Sequence, residues 1–595
     1  MRVAEYIAQR LSRETDTVFL LAGGGAMFLN DAFSWCDGLR PVFCHHEQSC
    51  SIAAEAYARF PEKIGVVNVT TGPGGINAMN GVFGAWTDSI PMIVISGQVK
   101  RQTTLRATGM LDKLRQLGDQ EVDIISLVKP ITKMATFISQ VDEIPFALER
   151  AIYLAKSGRP GPVWIDIPID IQSAEIKPEK YFICLDQDAY LHRPEELNTA
   201  ADRLLKLLKD AQRPIFLIGS GVRLSGALGL LESVAKNLQV PISTSWTAVD
   251  AIDHMSELFA ERPGVVGSRA GNFVLQNADL VIVIGSRLPI RQVSYNWENF
   301  AKDAIRVGVD IDSQELSKPM VDLDLLINAD AREFLEALLN RSAEVQTRDR
   351  NDWLRKIELI KSDFPALETS HVKRGHPRGR LNPYLFVSDL WKLFTQDEII
   401  AAADASASVI PLQIAPLIGS QRLFTNAGSA SMGYELPAAI GASFANPGKR
   451  IICLAGDGSI MLNLQELETI SRYQLPIKIL VLNNEGYLSI KQSQRGFFKR
   501  EKGSGLTSGL TFPNFNLIAQ ANKIPFLLIS SEQDYGLLQS ALNENGPCFI
   551  EVKIDPEQSF EPKLGSFQKE NGQIESYPLE KMSPLLPDEI QKKYT

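Results

Sequence analysis

The sequence predicts an α/β protein of three doubly wound, parallel-sheet domains. Two observations carry this. Apolar runs of four to six residues recur along the chain, many of them flanked by Gly or Pro, as strands buried on both faces read. These runs alternate with longer stretches of helical character, which makes neighbouring strands parallel. The length of 595 residues agrees, since one core serves roughly 150 residues.

The first unit spans residues 1–175. Its strands are expected at Val18–Leu21, Gly65–Val69, Met92–Ser96 and Val163–Ile167. Residues 173–195 are polar and read as a linker. The second unit, 195–345, has strands at Ile215–Ile218, Leu280–Ile284 and Ile305–Val309. Charged, helix-like residues 346–366 and a loop rich in His, Arg, Gly and Pro lead to the third unit, 375–555. Its strands are Arg450–Ala455 and Ile477–Leu482. Residues 556–595 are Pro-rich and polar, a tail draped over the surface or a lid. The two outer units have the look of distant versions of one fold.

Composition narrows the function. The net charge of −9, with basic residues dispersed, argues against nucleic acid as a partner. No apolar stretch reaches the roughly 18 residues of a membrane helix, and no secretory signal is visible. The six cysteines lack CxxC or framework spacing. They read as buried thiols in a reducing cytoplasm.

Chemistry concentrates where strands end. Gly456-Asp457-Gly458-Ser459 follows one apolar strand, and Asn483-Asn484-Glu485-Gly486 ends the next, with 24 residues between Gly458 and Asn483. Ligands of open α/β sheets bind at this edge. Glycines admit phosphate oxygens to the backbone, and Asp457 offers a hard oxygen to Mg²⁺. Either half alone is equally a tight turn or a helix cap.

The pair at this spacing resembles the signature of thiamine diphosphate-dependent enzymes. The resemblance implies Mg²⁺ held by Asp457, Asn484 and the Gly486 carbonyl, with Gly456, Gly458 and Ser459 at the diphosphate. Asn426–Gly433 resembles the segment that props the bent cofactor. It implies Met432 between the two rings and the Ala430 carbonyl at the 4′-amino group; taken alone, Met432 is an ordinary core methionine. His45-His46-Glu47-Gln48, opening the helix Ser51–Ala58, resembles the catalytic segment of acetolactate synthases. Glu47 is then the carboxyl that activates the pyrimidine, although an isolated Glu there is a helix-dipole partner. Gly23-Gly24-Gly25 and Thr71–Asn77, with Gly74 and Asn77, resemble the turns beside the thiazolium and the pyrimidine. In this family the active sites lie between chains, so the resemblance implies a homodimer or homotetramer.

In the middle unit Ile218-Gly219-Ser220-Gly221 falls short of the dinucleotide fingerprint and is equally a strand-to-helix turn. Its surroundings resemble the flavin-binding segments of acetolactate synthases. They imply FAD near Gly219, Ser220, Gly221, Asp310 and Asp330, with Arg159 and Arg287 at its phosphates.

The resemblance covers the chain to about residue 555. It implies pyruvate as donor, loss of CO₂ and transfer of a two-carbon unit to an acceptor. Gln116–Asp123 matches the substrate-facing loop, where Gln120 would bond the intermediate. Two positions depart from the pattern. Asp119 stands where Phe is expected, and Ser493, in Gln492-Ser493-Gln494, where Trp is expected. Both enlarge or polarise the acceptor side. They resemble carboligases of surface-sugar pathways that act on a ketone such as a 4-keto sugar nucleotide. Acetolactate synthesis from pyruvate alone and a pyruvate oxidase-like flavoenzyme remain open. A non-catalytic homologue would be expected to have lost Glu47 or Asp457.

Overall fold

A computed structural model describes the chain except residues 62, 182–193, 343–347, 378 and 595. Cys184 lies outside the described residues; the other five cysteines are free thiols. No helix among the described residues is long and apolar enough to cross a membrane.

Three parallel sheets form the frame. The first holds β1 Thr17–Leu20, β2 Arg40–Phe43, β3 Gly65–Val69, β4 Met92–Gln98, β5 Met134–Phe137 and β6 Pro162–Pro168, in the order β2-β1-β3-β4-β6-β5. The second holds β7 Pro214–Ile218, β8 Ile242–Thr244, β9 Leu280–Ile284, β10 Ile305–Asp310 and β11 Leu325–Asn328, ordered β11-β10-β9-β7-β8. The third holds β12 Ile399–Ala402, β13 Arg422–Phe424, β14 Ile451–Gly456, β15 Ile477–Asn483, β16 Phe526–Ile529 and β17 Cys548–Lys553, ordered β13-β12-β14-β15-β17-β16. Counted within each unit, the first and third sheets share one strand order, as expected of two versions of one fold.

The strands read from sequence are mostly central ones, fully buried. Several strands without that pattern lie at sheet edges. β5 is half-buried throughout, and β11 alternates buried and exposed residues. Neither carries an apolar run of four residues. The C-terminal residues are more ordered than a tail. They form two short antiparallel pairs, β18 Lys563–Leu564 with β21 Met582–Ser583 and β19 Ser566–Gln568 with β20 Ile574–Ser576. Asn272 Nδ2 donates to the Leu579 carbonyl at 2.9 Å, and Asn277 Nδ2 to the Tyr594 carbonyl at 2.6 Å. These bonds dock the segment on the helix Arg269–Asn277 of the middle unit.

The outer units meet through one helix. Glu47–Tyr57 lies between the helices Pro73–Asp88 and Glu435–Ala445. Glycine and alanine permit the approach. A Cβ at Gly441 would lie 2.0 Å from the Ala53 carbonyl oxygen, and one at Gly81 2.6 Å from the Ile52 nitrogen. Around this crossing the two units share a continuous apolar core, with Phe19 edge-on to both Tyr57 and Phe444.

Gly441→Ala tests how tight the crossing is. Helix propensity favours Ala by about 1 kcal/mol. Overpacking typically costs about 1–3 kcal/mol, and backbone cannot turn aside as a side chain does. The variant should therefore have a lower urea midpoint than the parent. An equal or higher midpoint would show that the helices separate freely.

Candidate active site

The parallel register of β14 and β15 pairs Gly456 with Leu482. Asp457 and Asn483-Asn484 therefore leave the sheet at the same carboxyl edge. Asp457 is buried, and its carboxylate accepts from the backbone N–H of Gly458 at 2.7 Å and of Gly486 at 3.1 Å. Burial nevertheless pushes its carboxyl up to about 7, an acid that a cation would return to its charged form. Asn483 is taken, donating to Glu551 Oε1 at 2.6 Å. The Asn484 side chain is 5% exposed and has no hydrogen-bond partner among the described residues. Gly486 has φ +153°, and a Cβ there would lie 2.2 Å from the Ser504 carbonyl oxygen. At Gly458 a Cβ would meet the Tyr487 ring at 2.0 Å. The turn is thus built to bring backbone close.

Among the described residues no cluster of three or more His, Cys, Asp or Glu forms a metal site. One carboxylate, one amide oxygen and one carbonyl make an incomplete set for Mg²⁺, which ordinarily completes its shell with phosphate oxygens and water. The residues present fit a metal that arrives with a diphosphate.

Segment 426–434 runs beside this turn. Ala430 and Gly433 have φ of +52° and +79°. Four contacts clamp the segment. Gly428 N–H donates to Asp88 Oδ1 at 3.0 Å, and Asn80 Nδ2 donates to Ser431 Oγ at 2.8 Å. Asn463 Nδ2 donates to the Gly433 carbonyl at 2.7 Å, and Tyr434 Oη donates to Glu55 Oε2 at 2.8 Å. Ala430 and Met432 are left half-buried between these anchors. Ser459 serves the same clamp. Its hydroxyl accepts from Gly433 N–H and donates to Glu435 Oε2, both at 2.8 Å. Burial raises the Glu435 carboxyl to about 8, so it is mostly neutral near neutral pH. Buried Ser406 Oγ, Thr425 Oγ1, Asn426 Oδ1 and Glu435 Oε1 have no partner among the described residues. So many unpaired polar atoms along one sheet edge suit a polar ligand.

In the first unit, Glu47 is the first residue of its helix and 8% exposed; His46 caps that helix through Nδ1. Asn77 Nδ2 donates to Glu47 Oε2 at 3.0 Å. A Cβ at Gly74 would lie 3.4 Å from Glu47 Oε1. Gln120 joins the group through its backbone, since a Cβ at Gly72 would lie 2.0 Å from its carbonyl oxygen. The Asp119 and Gln120 side chains are exposed. Glu121, which the sequence reading passed over, anchors their loop by accepting from the N–H groups of Leu117 and Gly118 at 3.0 Å each. Gly25 packs against Thr71, whereas Gly24 is exposed with open space around it. Glu47, Gly74, Asn77 and Gln120 thus gather in one unit, and Asp457, Asn484, Gly486 and Met432 in the other. Ser493 stands on the helix Leu488–Phe498, exposed, with its hydroxyl turned back to the Ser489 carbonyl at 3.0 Å.

A cavity of about 740 Å³ opens at the carboxyl edge of the middle sheet, a volume typical of cofactor sites. Ser220, Gly221, Arg287, Asp310, Asp330 and Arg159 line it. Gly219 does not line it; a Cβ there would lie 2.2 Å from the Gly285 carbonyl oxygen, so this glycine serves a backbone crossing. Arg159 is already engaged. Its guanidinium meets Asp312 at 3.0 Å, Glu315 at 2.9 Å and Ser89 Oγ at 2.9 Å. It bridges the first and middle units at the cavity wall. Arg291, stacked over Trp246 at 5.2 Å, is a further cation of this wall.

Comparison with known proteins agrees with this layout. Residues 1–127 match the model of the thiamine pyrophosphate enzyme N-terminal TPP binding domain, where thiamine pyrophosphate is a synonym of thiamine diphosphate. Residues 201–338 match the central domain of those enzymes, and 407–552 their C-terminal TPP binding domain. The chain is 31% identical to the acetolactate synthase isozyme 1 large subunit of Escherichia coli over 567 residues, 94% of this chain and 95% of that protein. It is 30% identical to the acetolactate synthase large subunit of Lactococcus lactis over 549 residues, 92% of each. A probable acetolactate synthase large subunit of Methanocaldococcus jannaschii is 30% identical over 570 residues, 94% of this chain and 93% of that one. With three domain matches and relatives aligned over nearly their whole length, the chain belongs to the acetolactate synthase-like thiamine diphosphate-dependent enzymes.

Proposed function

We propose that this enzyme decarboxylates pyruvate and transfers the resulting two-carbon unit to a ketone acceptor larger than pyruvate, of the 4-keto sugar nucleotide type. The observation that carries this reading is Ser493. The helix after Asn484 presents a small, self-bonded hydroxyl to solvent where a Trp would raise an apolar wall. Asp119, exposed beside Gln120, adds polarity rather than the apolar face of a Phe.

Asp457, Asn484 and the Gly486 carbonyl would hold Mg²⁺, and through it the diphosphate. Gly456 and Gly458 would let the phosphates reach backbone N–H groups. When bound, thiamine diphosphate supplies a nucleophilic carbon and an electron sink for decarboxylation. Glu47 would hold a proton at the pyrimidine N1′. Its burial at a helix start suits that task, and the Asn77 amide fixes the carboxylate's direction. Met432, held half-buried within the clamped segment, would keep the two cofactor rings bent. Gln120 would donate to the substrate oxygen. Asp88 lines the middle cavity and also holds Gly428, so a flavin adenine dinucleotide seated there would adjoin the clamp. Its phosphates would compete with Asp312 and Glu315 for Arg159. We read the active unit as a cytoplasmic homodimer or homotetramer with sites between chains.

The second reading, acetolactate synthesis, is favoured by the names of the relatives. Product analysis separates the two. Enzyme, thiamine diphosphate, Mg²⁺ and pyruvate should give little acetolactate alone, and a branched adduct when a 4-keto sugar nucleotide is added. Acetolactate as the one efficient product, with or without the sugar, would sink the proposal. The role of Glu47 has its own test. Glu47→Gln should lower pyruvate turnover by about 10²- to 10⁴-fold while still binding cofactor and metal. An unchanged rate would remove Glu47 from the role.

A further inference from the structure

We infer that Asn463 is a positioning residue that sets the spacing between the Glu47 helix and the cofactor-propping segment. This rests on the reading above, in which Glu47 and Met432 face bound thiamine diphosphate. Asn463 is 1% exposed and lies just past the Asp457 turn. Its amide is used on both sides. Nδ2 donates to the Gly433 carbonyl at 2.7 Å, one residue after Met432. Oδ1 accepts from Ser49 Oγ at 3.0 Å, two residues after Glu47, and from Gln465 Nε2 at 3.3 Å. Ser49 is fully buried, so its hydroxyl has no water to turn to. Three groups with cofactor roles thus connect through neutral hydrogen bonds: the Glu47 helix, the Met432 segment, and, through Gly433 N–H to Ser459 Oγ at 2.8 Å, the Asp457 turn.

The geometry matters because proton exchange by Glu47 in one site and ring bending by Met432 in another each need sub-ångström placement, and one buried amide holds both segments. A side-chain amide is well suited to hold two groups at once. It donates and accepts in one plane, and it carries no charge that cation binding or pH would disturb. Its reach is fixed by packing on every side. With active sites between chains, one chain's Glu47 and Met432 serve different sites. Asn463 then fixes the distance between two sites of the dimer rather than within one.

A cycle of Ser49→Ala and Asn463→Ala in the full-length enzyme tests this. The readouts are thiamine diphosphate affinity in excess Mg²⁺, kcat and KM for pyruvate consumption, and thermal stability. Asn463→Ala should weaken cofactor binding by about tenfold and lower kcat, since it frees the Gly433 carbonyl and Ser49 together. Ser49→Ala should lower kcat by about fivefold, with KM and cofactor affinity within about twofold of the parent. Adding Ser49→Ala to Asn463→Ala should lower kcat no further, because the hydroxyl acts through the amide. A full additional loss in the double variant, or an unchanged kcat in Ser49→Ala, would overturn the inference. Should Asn463→Ala fail to fold, the split between kcat and cofactor affinity in Ser49→Ala decides it alone, as loss of stability alone would not produce that split. A parent enzyme that binds no thiamine diphosphate would instead defeat the functional reading itself.

Discussion

The close crossing of the helix Glu47–Tyr57 with the helices carrying Gly81 and Gly441 is the constraint on which the rest depends. It joins the two outer units into one core, and buried charge reinforces it. Arg59, just past the end of this helix, pairs with Glu55 and, at 2.7 Å, with Asp88 of the helix Pro73–Asp88. Its guanidinium also lies over the Phe424 and Tyr434 rings of the third unit. Such a pair adds little net stability compared with apolar packing, but breaking one partner costs about 3–5 kcal/mol. Its value here is in register. Asp88 and Glu55 also accept from Gly428 and Tyr434, so the same charges that hold the helices fix both ends of the segment 426–434.

Two buried carboxyls beside that segment have different fates. Both Asp457 and Glu435 are raised by burial, to about 7 and about 8. Asp457 is wrapped by backbone N–H groups that favour its charged form and lies at the strand edge where a cation would sit. Glu435 has one hydroxyl donor, from Ser459, and one oxygen with no partner among the described residues. One is suited to bind a metal, the other to remain a neutral part of the scaffold.

The sequence made much of this legible where chemistry and backbone geometry coincide. Asp457, Asn484, Gly486 and Glu47 sit at strand ends or a helix start, and short-range pattern places such positions well. The strand order of the outer units was not readable, since it depends on which strands pair across long intervals. Nor was the clamp. Asn463, Glu121 and Arg59 are ordinary polar residues in sequence, and only tertiary packing shields and bonds each one. Gly219 illustrates the opposite case. Its surroundings resemble flavin-binding segments, and the glycine itself packs against Gly285 at the end of the neighbouring parallel strand β9. Arg159 was read for its charge, and the carboxylates of Asp312 and Glu315 that engage it lie far along the chain.

In the proposed site, the Asp457 carboxylate and the Asn484 amide at this carboxyl-edge turn would meet a metal-bound diphosphate. Calorimetric titration of the cofactor-free protein with thiamine diphosphate, with and without Mg²⁺, tests this most directly. One cofactor should bind saturably per chain, and that binding should require Mg²⁺ and be lost in Asp457→Asn. Binding of equal strength without the metal, or undiminished in Asp457→Asn, would contradict it.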